Sequence, residues 1–249
     1  MSQAVAQLAA GAAFALAAAG AARAWRLGLQ RQVLVAAARA AVQLLAVGAV
    51  IAVVFEVPAL SAPFVAIMLS SATWVAGGRL RPLPRPRVIA ALAIGAPALG
   101  ALGLLVAVGA FDPEPRAIVP GAGILIGGAM TAVGLTGRRF TDALRDRAGE
   151  VEARLCLGDP AREALHPLLT TAVTSGLIPV LDQTRTAGLV TLPGTFVGLV
   201  LGGASPGEAA RVQLLVLLAL LAVELAAARA AAVLAVRAVV APGERVREL

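Results

Sequence analysis

Long apolar runs alternate with short charged segments along nearly the whole chain, and most of these runs are long enough to cross a membrane. A hydrocarbon core of about 30 Å requires about 20 apolar residues in a helix. Seven runs qualify: 4–22, 33–55, 59–77, 88–111, 118–137, 187–203 and 212–236. The apolar run 168–181 is shorter, so we expect it to be interfacial or to form the lower end of the next helix. The pattern predicts an all-α, polytopic membrane protein with about seven transmembrane helices in a single domain, 1–249.

The arginines indicate how this bundle is oriented. With the N-terminus outside, the outer loops hold Arg116 and Arg211, and two more arginines lie within spans. The inner segments hold all the others: Arg23, Arg26, Arg31, Arg79, Arg81, Arg85, Arg87, Arg138, Arg139, Arg145, Arg147, Arg154, Arg162, Arg185, Arg237, Arg245 and Arg247. Cytoplasmic loops carry such an excess of basic residues. We therefore predict a bacterial multi-pass protein of the plasma or inner membrane, N-terminus out and C-terminus in, with membrane lipid but no nucleic acid as a partner.

Composition excludes several kinds of site. The chain has 249 residues, 59% hydrophobic and 14% charged, where a soluble domain has about 25% charged. All 21 basic residues are arginine, so the lysine of a phosphate-binding P-loop is missing. One cysteine and one histidine are too few for a zinc, haem or iron–sulfur site. We predict a non-catalytic protein without a cofactor of its own; if ATP drives it, a partner must bind the ATP and Mg²⁺.

The longest polar interruption, 138–167, predicts two helices joined by a sharp bend. Apolar residues from Phe140 to Leu155 recur at helical spacing along one stripe. Gly158 is suited to a left-handed cap at the end of the first helix. Asp159 can cap a second helix with Pro160 at its first position. On the predicted topology, this hairpin lies in the cytoplasm between spans five and six.

The same segment resembles the coupling loop of ABC transporter permeases. In those proteins a Glu-Ala-Ala segment followed by a glycine docks into a cleft of a separate ATPase subunit. Here Glu152 and Ala153 precede Gly158 at that spacing, with Asp159 and Pro160 following, although the third alanine is replaced by arginine. The resemblance implies that these five residues couple the membrane helices to an ATPase.

The residues beyond the loop resemble the FetB-type iron-export ABC permeases, a family whose plant relatives confer aluminium tolerance. The segment 177–194, which reads LIPVLDQTRTAGLVTLPG, and its continuation GLVLGG carry the resemblance. It implies a permease that exports iron or another metal, works as a homodimer and pairs with a separately encoded ATPase. Three positions depart from the family pattern: Gly128 stands where we expect an asparagine, Arg185 replaces a lysine, and Thr195 with Phe196 replaces a methionine.

Several residues of the apolar part are candidate pathway or intramembrane polar groups. They are Arg39, Gln43, Met130, Asp182, Arg185, Pro193, Gly194 and Glu224. Ionisable residues inside membranes commonly mark transport paths, but each candidate also has a structural interpretation. Arg39 can extend its side chain to the inner surface, and Met130 can fill the core. Asp182 and Arg185 can form an i,i+3 pair at the inner entrance of span six.

The remaining candidates have the same two interpretations. Pro193 and Gly194 can form a kink in the middle of span six, which either packs against a neighbour or opens onto a path. Glu224, near the middle of the last span, is expected to pair with an arginine. Two other functions stay open: an ABC permease for a small organic or nucleotide-sugar substrate, and a secondary transporter in which Glu224 would be the acidic coupling group.

Overall fold

The chain folds almost entirely into α-helices. The computed structural model describes residues 3–247. Its elements are α1 (Gln3–Ala24), α2 (Gln30–Glu56), a 3-10 turn (Pro58–Leu60), α3 (Ser61–Arg79), α4 (Pro86–Ala107), α5 (Pro115–Asp146), α6 (Ala148–Cys156), α7 (Ala161–Thr186), α8 (Gly194–Leu201), α9 (Pro206–Val239), β1 (Val240–Ala241) and β2 (Arg245–Val246). Within the described residues, seven helices are long and apolar enough to cross a membrane: all except α6 and α8. This confirms the predicted all-α, polytopic membrane fold.

The sixth membrane helix is not the one that the sequence predicted. The predicted span 187–203 contains a turn at Gly188, whose φ is +86°, and the eight-residue helix α8. At 1.5 Å per residue, α8 is about 12 Å long, too short to cross a bilayer. The sixth long helix is instead α7, which includes the whole of 168–181. The expectation that 168–181 is interfacial, or the lower end of the next span, is therefore wrong.

Threonine side chains explain how α7 can be a membrane helix despite its short apolar run. Their hydroxyl groups donate hydrogen bonds to the backbone carbonyl groups one turn earlier, which reduces the polarity of the helix surface. Thr170 bonds to His166, Thr171 to Pro167, Thr174 to Thr170, Thr184 to Val180 and Thr186 to Asp182, at 2.7 to 3.1 Å. The sequence prediction missed the helix because His166 and Asp182 bound the apolar run 168–181, which left the run too short to be taken as a span.

The corrected span leaves the number of crossings at seven. The predicted orientation, with the N-terminus outside and the C-terminus inside, therefore stays a prediction with the same rationale. One detail changes, because Arg185 now lies in the last turn of α7. On this topology it moves to the outer side, where it joins Arg116 and Arg211, and the inner side keeps the large majority of the arginines.

Two compact units make up the chain, Met1–Pro58 and Ala59–Leu249. In the first unit, α1 and α2 pack against each other. In the second unit, α5 is the central helix and contacts α3, α4, α7 and α9. Its buried residues, from Val119 to Leu144, run along the length of the helix. The prediction of one domain over the whole chain stays a prediction.

Close packing around α5 depends on residues without side chains. A Cβ atom added to Gly137 would stand 2.7 Å from Cγ of Leu80, a residue that is completely buried. Gly176 of α7 lies directly against the hydroxyl group of Thr136 in the same manner. Small residues let membrane helices approach closely enough for dispersion contacts to hold them together. The C-terminal half of α5 is therefore tightly held by α7 and by Leu80 at the end of α3.

Candidate functional site

The polar segment 138–167 consists of the end of α5, α6 and the beginning of α7, and we call it the coupling hairpin after its predicted role. The sequence predicted that the first helix of this segment runs without a break from Phe140 to its cap at Gly158. The structure breaks this helix at Arg147, whose backbone has φ −118° and ψ 26°. The Arg147 guanidinium group bonds to the Glu150 carboxylate, 2.6 Å away. The first limb of the hairpin is therefore the end of α5 followed by α6.

Gly158 makes the bend, as predicted. Its φ is +96°, which favours glycine because that residue has no Cβ atom. The N–H of Gly158 donates to the Leu155 carbonyl group at 3.0 Å, and the N–H of Asp159 donates to that of Arg154 at 3.1 Å. This pair of bonds is the Schellman pattern that ends helices at a glycine. The end of α6 is thus fixed by backbone geometry.

The cap of α7 differs from the prediction. Asp159 does not cap this helix, because its Oδ2 accepts a hydrogen bond from Nε of Arg154 at 2.7 Å. Pro160 is the residue before the first helical position, and it offers no side-chain acceptor. The N–H of Ala161 donates instead to Oε2 of Glu244, at 2.6 Å. Sequence reasoning missed Glu244 because it lies 83 residues away in the chain.

The predicted coupling residues lie on the surface of the protein. Glu152, Ala153, Gly158 and Pro160 are exposed, and Asp159 is half-buried. The opposite side of α6 is anchored by Val151, which is 2% exposed and belongs to the main apolar core. The hairpin therefore combines a fixed inner face with an outer face that another protein can contact.

Glu224 is buried in the middle of α9 beside α5. Only 5% of this residue is exposed, and its carboxylate lies against Gly128. A Cβ atom at Gly128 would stand 2.6 Å from Oε1 of Glu224. The expected pairing with an arginine is wrong, because Glu224 forms no ion pair with any residue in 3–247. The glycine that replaces the expected asparagine leaves the space that this carboxylate occupies.

The other intramembrane candidates have structural surroundings. Met130 is half-buried and packs against the main apolar core. Asp182 and Arg185 form the predicted pair, with 3.6 Å between Oδ1 and Nη1, and both are exposed. They lie at the end of α7, so their predicted place at the inner entrance of span six is wrong.

The remaining candidates fall at two other places in the chain. Pro193 and Gly194 begin α8, so the predicted kink in the middle of a span is also wrong. Arg39 and Gln43 lie one turn apart in α2, as expected from their spacing.

Gln213 is a buried polar residue that sequence reasoning did not select. It is 7% exposed, and its Oε1 has no hydrogen-bond partner in the described part of the chain. It lines a cavity of about 320 Å³ together with Thr184, Pro193 and Phe196, where α7, α8 and α9 meet. The signal available in the sequence was an amide side chain at the beginning of the apolar run 212–236. Across 3–247, no group of three or more histidine, cysteine or acidic residues could hold a metal ion.

Comparison with known proteins identifies relatives over most of the chain. The model of the uncharacterised protein family UPF0014 matches residues 5–240. The chain is 38% identical to "UPF0014 membrane protein STAR2" of Oryza sativa subsp. japonica over 194 residues, 77% of this chain and 68% of that protein. It is 39% identical to "Protein ALUMINUM SENSITIVE 3" of Arabidopsis thaliana over 150 residues, 60% of this chain and 55% of that protein.

A bacterial relative carries a functional name. The chain is 30% identical to the "Probable iron export permease protein FetB" of Escherichia coli (strain K12) over 198 residues, 79% of this chain and 76% of that protein. No solved structure matches the chain. The family model spans all seven long apolar helices almost completely. The chain therefore belongs to the UPF0014 family of multi-pass membrane proteins.

Proposed function

We propose that this chain is the permease subunit of an ABC transporter that exports iron or another metal ion. Two copies would form the pathway, and a separate ATPase subunit would bind ATP and Mg²⁺. The chain itself would catalyse no reaction. Iron is chosen as the first substrate to test because the E. coli relative is named as a probable iron export permease.

The exposed coupling hairpin is the observation that carries this proposal. Its first limb continues from α5, which contacts α3, α4, α7 and α9. Its second limb is the beginning of α7, a membrane helix. A force applied to Glu152 and Ala153 on the outer face would therefore act on two membrane helices. Domain motions in transporters are largely rigid movements of such helix groups.

Reconstitution with purified ATPase tests the proposal directly. The permease and an ATPase encoded beside it are placed in proteoliposomes, and ATP hydrolysis and metal movement are measured for a panel of metal ions and organic solutes. We expect the permease to stimulate hydrolysis and a metal ion to be transported. Transport on an ion gradient without ATPase would refute the proposal, and stimulation only by an organic solute would refute the metal assignment.

A pair of charge reversals tests which surface binds the ATPase. Glu152→Arg should weaken ATPase binding about tenfold, which corresponds to about 1.4 kcal/mol, because it alters the exposed face of α6. Glu114→Arg is the matched control. Glu114 is also exposed, but it precedes α5 at the helix end opposite the coupling hairpin. Equal effects of the two variants would contradict the assignment of the coupling hairpin as the docking surface.

A further inference from the structure

The second limb of the coupling hairpin lacks a cap of its own. Four N–H groups at the start of any helix have no partner within the helix. At the start of α7, the nearest candidate, Asp159, is bound to Arg154, and Pro160 has no polar side chain. Ala161 is completely buried, so its N–H group needs a partner from the protein. That partner is the carboxylate of Glu244.

Glu244 belongs to a small C-terminal hairpin, formed by β1, the turn 242–244 and β2. Val240 pairs with Val246 and Ala241 with Arg245, and the N–H of Arg247 donates to the Val239 carbonyl group at 2.9 Å. The hairpin follows α9 without a linker, so its position is set by that membrane helix.

The turn of this hairpin holds Glu244 in an unfavourable backbone conformation. Its φ is +56°, whereas only glycine adopts positive φ at little cost. Gly243 before it, with φ +78°, provides the other left-handed residue of the turn. Strained residues of this kind persist where the surrounding structure fixes them, often for a function. Here the conformation directs the carboxylate to the beginning of α7.

Apolar residues of the C-terminal hairpin also pack near the coupling hairpin. Val240 and Val246 pack against the main buried core, and Val246 lines one cavity together with Val151 and Leu155 of α6. Val239, the last residue of α9, is completely buried in that core. The C-terminal hairpin therefore joins α9 to both limbs of the coupling hairpin.

We propose that Glu244 is a positioning residue that fixes the coupling hairpin to the cytoplasmic end of α9. The carboxylate accepts a charge-assisted hydrogen bond at a helix N-terminus, where negative charge is also favoured by the helix dipole. An ATPase that moves the coupling hairpin would then move α9 together with α5 and α7. This inference rests on the proposed function, but its first test does not need the ATPase.

Hydrogen exchange on the permease alone tests the cap. In Glu244→Ala, the amide groups in the first turn of α7 should exchange about fivefold faster, the change expected for a typical lost cap. Glu244→Gln keeps an acceptor oxygen but loses the negative charge, so its exchange should lie between that of the wild type and that of Glu244→Ala. Glu150→Ala is the matched control, because Glu150 is an exposed glutamate of the coupling hairpin that pairs with Arg147 and caps nothing in α7. Unchanged exchange in Glu244→Ala would overturn the inference.

Coupling to the ATPase provides the second test. Glu244→Ala should lower permease-stimulated hydrolysis about fivefold, at the lower end of typical coupling free energies. The affinity for the ATPase should stay near the wild-type value, and Glu244→Gln should restore stimulation in part. Weaker ATPase binding with unchanged exchange in α7 would overturn the inference, because Glu244 would then be a direct contact. If wild-type permease stimulates no ATPase, the proposed function fails while the exchange result still stands.

Discussion

Replacing Gly158 separates the backbone requirement of the coupling hairpin from its side-chain contacts. A Cβ atom at this position would meet nothing within 4 Å, so an alanine there has enough space. The alanine is destabilising only because φ is +96°, a left-handed conformation that is less favourable for L-residues by about 1–2 kcal/mol. Asparagine tolerates this region better and should cost less. Proline, whose ring holds φ at about −65°, should not form the bend at all.

Gly149 provides a matched control in the same segment. It lies in α6 with ordinary helical geometry, and a Cβ atom there also meets nothing within 4 Å. Gly149→Ala should therefore stabilise the helix by about 0.5–1 kcal/mol. The two alanine variants add the same methyl group and differ only in backbone conformation.

ATPase affinity, measured by titrating fluorescent ATPase against permease in nanodiscs, should follow this order. If the bend must be preformed for docking, about 1–2 kcal/mol of strain weakens binding about 5- to 30-fold in Gly158→Ala. Binding should be lost in Gly158→Pro and unchanged or tighter in Gly149→Ala. Wild-type affinity in Gly158→Pro would refute the need for a preformed bend, and so would equal changes in affinity, in the same direction, in both alanine variants.

Three further substitutions test the packing and the local bonds. Gly137→Ala should destabilise the bundle by about 1–3 kcal/mol in unfolding by SDS, because its Cβ atom would overlap the buried Leu80 side chain. The double variant with Leu80→Ala should lose less unfolding free energy than the two single variants lose together. Asp159→Ala should lower the free energy of unfolding by only about 0.5 kcal/mol, and by less at high salt, because its ion pair with Arg154 is about one-third exposed. An effect of the same size at high salt would contradict this prediction. Ser205→Ala should lower the free energy of unfolding by about 0.5–1 kcal/mol, because the serine hydroxyl accepts a 3.3 Å hydrogen bond from the N–H of Glu208 at the start of α9. An unchanged free energy of unfolding would show that this cap does not stabilise the protein.

The sequence predicted the membrane helices well where apolar residues are continuous. Six of the seven predicted spans overlap the long helices because about 20 apolar residues leave few alternatives to a helix in lipid. The sixth failed because the uninterrupted apolar run 168–181 ends at Asp182 and looked too short to be a span, whereas the whole helix α7 is long and apolar enough to cross a membrane. The apolar segment after α7 looked like a span, but Gly188 and Pro193 break it.

The candidate coupling residues show the same difference between what neighbouring residues determine and what distant residues determine. Gly158 was predictable because a helix end that needs positive φ is a local property of the chain. The partners of Asp159 and Glu224 were not, since each depends on which residue comes close in the folded protein. Asp159 binds Arg154 instead of capping α7, and Glu224 rests against Gly128 instead of pairing with an arginine. The contact between Glu244 and α7 could be found only from the folded structure.

The sole cysteine gives this protein a built-in attachment point for a fluorescent reporter. Cys156 is an exposed free thiol at the end of α6, two residues before the bend. A maleimide dye would react there and nowhere else in the chain, so no cysteine-free background has to be engineered. A dye at this place would lie beside the exposed residues Ala153 and Gly158, and its emission would change when water around it is replaced by protein. Docking of a candidate ATPase could thus be followed in real time on the otherwise unmodified sequence.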